Sequence, residues 1–284
     1  MKTRLLILTL FICTSFMAAN AQSLGEFKEQ YGGYGAKKNL KKAQKKIYIA
    51  QFKTNFEVFK DASSYKAKGM FGGGDAKAKL ALALDSISPM DLQKLTNELF
   101  IDFKKQLVDQ GFEIVTADMA SKAESYAGYQ RMEGGNLIPT DVPGFVSVTP
   151  EGHSYFIKGL DKNGVEKKKY SLVGDADLKM NKKVAKDLGN IIVAKVDLYL
   201  MFSDQKQGWS PGGAKVKIKT NLRLVGETTV TAEKKKGLRF KGAYTSHPIK
   251  SSISFIEQKG NYFEGTLKKP LEVAGVIEKE TIKV

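Results

Sequence analysis

The sequence predicts an α+β domain, a mixed or antiparallel sheet with two principal helices packed on it. Three observations carry this prediction. A strongly amphipathic segment at 89–110 lies between short apolar runs, giving a strand, helix, strand unit. A second helical stripe at 178–188 leads directly into a near-continuous apolar run at 191–202. Much of the remaining chain alternates apolar and polar residues between turn signals, the mark of half-buried strands.

Residues 1–21 have the three parts of a secretory signal: Lys2 and Arg4, an apolar run from Leu5 to Met17, and Ala19-Asn20-Ala21 before Gln22. Cleavage is expected after Ala21, with export to the periplasm or cell surface. The apolar run falls short of the roughly 20 residues a bilayer-spanning helix needs, so no transmembrane helix is expected. Cys13, the single cysteine, lies inside the signal and follows Leu10-Phe11-Ile12, unlike a lipoprotein processing site. The mature chain therefore has no thiol for a disulfide, a metal or a nucleophile, and relies on a packed core.

Loss of Lys2 and Arg4 lowers the basic residues from 46 to 44 against 30 acids, and the net charge from +16 to +14. The excess is almost entirely lysine, a hydrated point charge that attracts anionic surfaces without the bidentate geometry of a specific phosphate site. A solvated face is the plainer reading of this charge, with an anionic glycan or lipopolysaccharide as the class of partner it would attract, and a specific nucleic-acid site is not expected.

Residues 22–46 read as a mobile, basic leader before the folded domain. Gly32-Gly33-Tyr34-Gly35 is followed by Lys37, Lys38, Lys41, Lys42, Lys45 and Lys46, the first set of anionic-surface candidates. Ile47, Ile49, Phe52, Phe56 and Phe59 predict a first core strand over 47–59, the start of a single domain running to 284. A hairpin with a Gly72-Gly73-Gly74 tip joins 65–71 to 76–84. Its Leu80, Leu82 and Leu84 share one face, which suits a core cover, a protein partner or a membrane-inserted barrel; they are the partner-surface candidates.

The helix at 89–110 has Ser88 as cap, Pro89 in its first turn, Asp91 three residues after the cap and Gly111 as its stop. Leu92, Leu95, Leu99, Phe103 and Leu107 form its apolar stripe, and a strand follows at 112–117. An irregular excursion is expected over 118–152. Asp161-Lys162-Asn163-Gly164 then predicts a tight turn joining strands 155–160 and 165–173.

The second helix, 178–188, has Met180, Val184 and Leu188 on one stripe, Asp177 as cap and Gly189 as stop. The buried strand 191–202 turns at 208–213 into a half-wet strand, where Lys215, Lys217 and Lys219 alternate with Val216 and Ile218. These three lysines are the second set of anionic-surface candidates. Strands near 238–244 and 249–257 and a short helix at 270–279 complete the reading.

No catalytic residues, cofactor or metal are assigned. Gly208-Trp209-Ser210-Pro211-Gly212 matches a nucleophile elbow literally, but Pro211 lacks the N–H that the oxyanion needs, and the next element reads as a strand. The glycine-rich stretch at 69–77 lacks the Lys-Ser/Thr ending of a phosphate loop. His153 and His247 are isolated, which fits solvated or core-edge residues. Asp175 and Asp177 precede a helix, where acids cap backbone donors. Trp209, Tyr199 and Tyr244 are the aromatics of a conceivable saccharide platform.

Ile47-Tyr48-Ile49-Ala50-Gln51-Phe52, the run Leu107-Val108-Asp109-Gln110-Gly111-Phe112-Glu113-Ile114-Val115, and Val184 through Ala194 together resemble the curli assembly and transport lipoprotein family. The resemblance covers about half the chain, in pieces. It implies a non-enzymatic α+β envelope protein that associates with itself or with outer-membrane proteins. The lipobox cysteine is absent, Asn190-Ile191 replaces the acidic residue of the family's G-A-D segment, and the 64–85 hairpin precedes the first helix. Lipid anchoring, pore formation and functional residues are therefore not carried over.

Overall fold

The computed structural model describes residues 27–66, 76–83, 88–167, 176–210, 213–233 and 244–283. Its centre is a ten-stranded mixed sheet, flanked among the described residues by three two-stranded ladders. The two innermost strands are β2 (Lys46–Glu57) and β10 (Ile192–Ser210), paired in parallel. Two helices cover opposite faces of this pair: α2 (Pro89–Asp109) and α4 (Ala176–Asp187).

The α2 helix starts where its sequence requires. Ser88 accepts the Asp91 N–H at 3.2 Å, and the Asp91 carboxylate accepts the Ser88 N–H at 3.1 Å, closing a capping box. The Ser88 hydroxyl, which donates to the same carboxylate at 2.8 Å, and then the Ser88 N–H hold the Asp91 carboxyl below its ordinary range. Its buried stripe is Leu92, Thr96, Phe100, Phe103 and Leu107; Leu95 and Leu99, expected in it, are half-buried at its margin. Phe100 meets Phe52 of β2 edge-on at 5.2 Å between ring centroids. The strand β5 (Glu113–Val115) then returns parallel to β2, completing the predicted strand, helix, strand unit.

On the other face, Met180, Val184 and Ala185 of α4 pack on Tyr48, Ile191 and Val193. Ile192, Ala194 and Val196 alternate with these residues toward α2. The start of β10 is thus covered on both sides, as its apolar run predicts. Asn190, with φ 69°, takes the left-handed turn between α4 and β10, a conformation that asparagine tolerates.

Several expectations are corrected. The leader reading of 22–46 fails from residue 27 onward: β1 (Phe27–Gly32) pairs antiparallel with β15 (Tyr262–Leu267), and α1 (Ala36–Lys42) follows it. Gly32 and Gly33 serve close approach, not mobility. A Cβ on Gly32 would lie 2.0 Å from the Tyr262 ring, and one on Gly33, at φ 100°, 2.5 Å from the Asn261 side chain.

The excursion at 118–152 holds α3 (Ala117–Ala120), β6 (Gln130–Glu133), β7 (Leu137–Pro139) and β8 (Phe145–Val148). The turn at Asp161–Gly164 forms, with the Asp161 carboxylate accepting the Asn163 and Val165 N–H groups. The segments flanking it meet in one antiparallel bridge, Leu160 with Glu166, and the rest of the expected second strand, 168–173, lies outside the described residues; upstream, β9 (Ser154–Ile157) pairs with β6, where Ser154 bridges Arg131 and Glu133. The expected C-terminal helix is the strand β16 (Leu271–Lys283), paired along β11 (Gly213–Leu224). The β-branched Val273, Val276, Ile277, Thr281 and Ile282 suit that edge. The 64–85 hairpin starts earlier, as β3 (Phe59–Lys66) against β4 (Ala76–Ala83). The remaining strands are β12 (Glu227–Glu233), β13 (Tyr244–Lys250) and β14 (Ser252–Ile256), the last pairing with both β10 and β15.

Candidate functional site: a polar cavity on the central strands

Along β10, Lys195, Asp197 and Tyr199 occur at every second residue and share a face. Each is in register with a polar residue of β2: Lys195 with Gln51, Asp197 with Lys53, Tyr199 with Asn55. A register shift makes this possible. Ile49 pairs with Ala194, but Gln51 pairs with Lys195, leaving Ala50 as an extra residue. Before it, Tyr48 faces α4; after it, Phe52 faces α2 and Gln51, Lys53 and Asn55 take the α4 side.

Since α4 covers only the start of that face, these residues floor an open cavity of about 590 Å³. Its walls are the 138–142 segment with Ser147, the 165–167 loop, Asp177 of α4, and Ser246, His247 and Pro248 of β13.

Four of the charged side chains in the cavity form two ion pairs. Lys53 meets Glu166, and Lys195 meets Asp177 in the first turn of α4. Asn55, itself buried, donates to the Asp197 carboxylate and to the Leu198 carbonyl oxygen, and accepts from the Ser147 hydroxyl. Burial raises the Asp197 carboxyl above its ordinary value, against the pull of Lys195, Lys53 and the Asn55 amide. The Tyr199 phenol is raised by burial and then by Asp197. An entering anion could displace Glu166 or Asp177 from its lysine, and a ligand hydroxyl or amine could donate to Asp197. The arrangement suits holding a polar molecule, and it places no activated nucleophile beside a base. Among the described residues, no group of three or more His, Cys, Asp and Glu side chains has the arrangement to hold a metal ion.

The residues singled out by sequence are dispersed. Asp177 reaches Lys195 through its side chain, while Asp175 lies outside the described residues. Ser210 ends β10 in register with Gly213, the first residue of the strand β11, where an elbow requires a helix. Tyr199 floors the cavity, but Trp209 stands ten residues further along the same strand, roughly 33 Å at normal strand rise, so the saccharide platform does not assemble. His153 is a buried core residue between Phe100 and Tyr155, and His247 lies on the cavity wall beside Thr245.

Leu80 and Leu82 pair with Ala62 and Lys60 in the β3–β4 ladder, and Leu84 lies outside the described residues. Lys45 is over the Phe112 ring at 4.3 Å, Lys46 pairs with Glu113 at 3.2 Å, and Lys37 lies 5.6 Å from the Tyr31 ring centroid. Lys38, Lys41 and Lys42 are exposed on α1. Lys215, Lys217 and Lys219 occupy alternate positions of β11.

Sequence reading missed Lys53, Asn55, Glu166, Lys195 and Asp197. A signal for four of them was present: polar residues at period two inside two apolar runs, Gln51-x-Lys53-x-Asn55 and Lys195-x-Asp197-x-Tyr199. Glu166 had none, because only tertiary packing brings it to Lys53.

Fold and cavity define an α+β sheet protein with a charge-paired polar cavity. No protein-family model matches the chain, and no curated protein or solved structure matches it. Among the described residues, no helix is long and apolar enough to cross a membrane.

Proposed function

We propose that this chain is an exported, non-enzymatic protein of the cell envelope, an assembly or binding component that works at the outer membrane or cell surface and recognises its partners by charge and shape. The observation that carries this reading is the paired chemistry of the cavity: Lys53 with Glu166, Lys195 with Asp177, Asp197 with Asn55. Groups held in this way are suited to exchanging partners with a ligand, and poorly suited to attacking one.

The tripartite signal at 1–21 supports export, and the net charge of +14 left after its removal supports anionic surroundings. The segments that resemble the curli assembly and transport family fall on β2, on α2 into β5, and on α4 into β10, and these three strands lie side by side. That adjacency is consistent with a shared topology. A second reading, a soluble binding protein for acidic saccharides, is favoured by the size of the cavity and by Lys53, Lys167 and Lys195 in it.

Fractionation of the native cells, then mild cross-linking and mass spectrometry of the proteins that copurify with the mature chain, tests the proposal. Recovery in a discrete complex with outer-membrane proteins is the expected result. Recovery as a free monomer that retains an acidic saccharide would favour the second reading. Hydrolysis of such a polymer, abolished by Asp177→Asn in a folded variant, would overturn both.

A further inference from the structure

Two lysines flank Asp197 on the cavity floor, and neither reaches it. Lys53 is in register with it on β2, and Lys195 lies two residues before it on the same face of β10. Lys53 pairs instead with Glu166, and Lys195 with Asp177. From a distance both lysines favour the Asp197 charge, against the burial that opposes it. Among the described residues the carboxylate has no ion-pair partner and one hydrogen bond, from the Asn55 amide to Oδ1. Asn55 is fully engaged: the same amide also donates to the Leu198 carbonyl oxygen, and its own oxygen accepts the Ser147 hydroxyl. Oδ2 accepts no hydrogen bond from the described residues and is not sealed in the interior, so it is open to the cavity that Asp197 lines.

The surroundings of Oδ2 favour a positive ligand group. Among the described residues, four carboxylates line the cavity, Asp141, Glu166, Asp177 and Asp197, against three lysines, Lys53, Lys167 and Lys195. The Tyr199 phenol, next on the floor, is raised by burial and then by Asp197 and Asp141, so both carboxylates act on one hydroxyl. An anion has no such opening. To reach Lys53 or Lys195 it must break a part-buried ion pair and leave Glu166 or Asp177 without its counter-charge. Lys167 is exposed, where solvent screens it. A neutral hydroxyl can donate to Oδ2 but brings no counter-charge; an ammonium brings both.

We propose that the cavity binds a small polar molecule bearing a primary ammonium, held at Asp197 Oδ2, of the size of an amino sugar or an amino acid derivative. Its volume of about 590 Å³ admits either. This chemistry rests on the cavity's being a binding site, as proposed above, and fixes the sign of the charge that its ligand carries.

The test is isothermal titration of the mature chain at low salt with D-glucosamine and with glycinamide, each set against its N-acetylated form. At least one free amine is expected to bind about ten- to a hundredfold more tightly than its acetylated form, the worth of a hydrogen bond to a charged group. Which of the two binds separates a saccharide source from an amino acid source. Asp197→Asn keeps the side-chain size and should bring that amine down to the affinity of its acetylated form, with a cooperative melting transition to show that the variant is folded. Asp109→Asn, which removes the same charge at the exposed end of α2, should bind like the parent chain. The acetylated forms are compared on the parent chain, so that arm depends on no variant folding. Equal binding of free and acetylated forms, no binding of either amine at millimolar concentration, or Asp197→Asn binding no worse than Asp109→Asn would overturn the proposal. Capture of an acidic saccharide with both amines rejected would overturn it while leaving the cavity a binding site, and recovery with outer-membrane proteins is read separately from either result.

Discussion

Asn55 of β2 donates its side-chain amide to the carboxylate of Asp197 on β10, joining the two parallel central strands beneath the open cavity. The same side chain bonds the Leu198 carbonyl oxygen and the Ser147 hydroxyl, so one buried residue ties three strands. Replacement by leucine keeps the approximate volume and strands three polar partners. Asn55→Leu is expected to cost about 2–4 kcal/mol, read as a lower denaturation midpoint with an unchanged slope. K38A, on the exposed face of α1, should stay within about 0.5 kcal/mol.

Glu57 lies buried at the end of β2, where its carboxylate accepts the N–H groups of Phe202 and Ser203 and the Ser203 hydroxyl. It also meets Lys60 at 3.4 Å. The bonds fall at the register shift between Met201 and Ser203, where β10 leaves its pairing with β2 and continues with β11. Glu57→Ala removes the acceptor and leaves buried donors unmade, an expected loss of about 3 kcal/mol. Hydrogen exchange should quicken first at the Phe202 and Ser203 amides.

His153 is buried against Phe100 and Tyr155, and its Nε2 has no hydrogen-bond partner among the described residues. Burial, assisted by Lys104 and opposed by Glu133, lowers its pKa to about 4. An unfolded chain binds this proton near pH 6.5, so between about 6.5 and 4 the unfolded state holds more protons and stability falls as pH falls. The loss approaches about 3 kcal/mol. In His153→Phe the stability change over this pH range should be smaller by about that amount, and the imidazole resonance of the parent protein should titrate near pH 4.

Gly32 lets β1 lie against the Tyr262 ring, which would stand 2.0 Å from an added Cβ. Gly32→Val is expected to cost about 1–3 kcal/mol and to speed amide exchange along β1 and β15. Combining it with Tyr262→Ala makes room for the new side chain and should recover part of the loss relative to Tyr262→Ala alone. No recovery would mean that backbone conformation, not contact, is the reason glycine is required there.

Much of the fold was legible locally because local chemistry decides it. Ser88, Pro89 and Asp91 start α2, Gly111 stops it, and the stripe ending in Phe103 and Leu107 turns it toward the sheet. Asp161 and Gly164 form their turn whether or not a hairpin is built on it. The α+β class emerges from such signals summed along the chain.

Choice of partner was not legible, because a strand's backbone groups accept any edge of suitable register. Only the tertiary structure paired β9 with β6, laid β1 on β15 despite its glycines and lysine-rich sequel, and drew the C-terminal segment onto β11. It also made the cavity: the extra residue at Ala50 rephases β2 so that Lys53 and Asn55 face the same side as Lys195 and Asp197. The alternation that places each residue on a face is written in the sequence; which faces meet depends on hydrogen bonds between strands up to well over a hundred residues apart, where local preference has no reach.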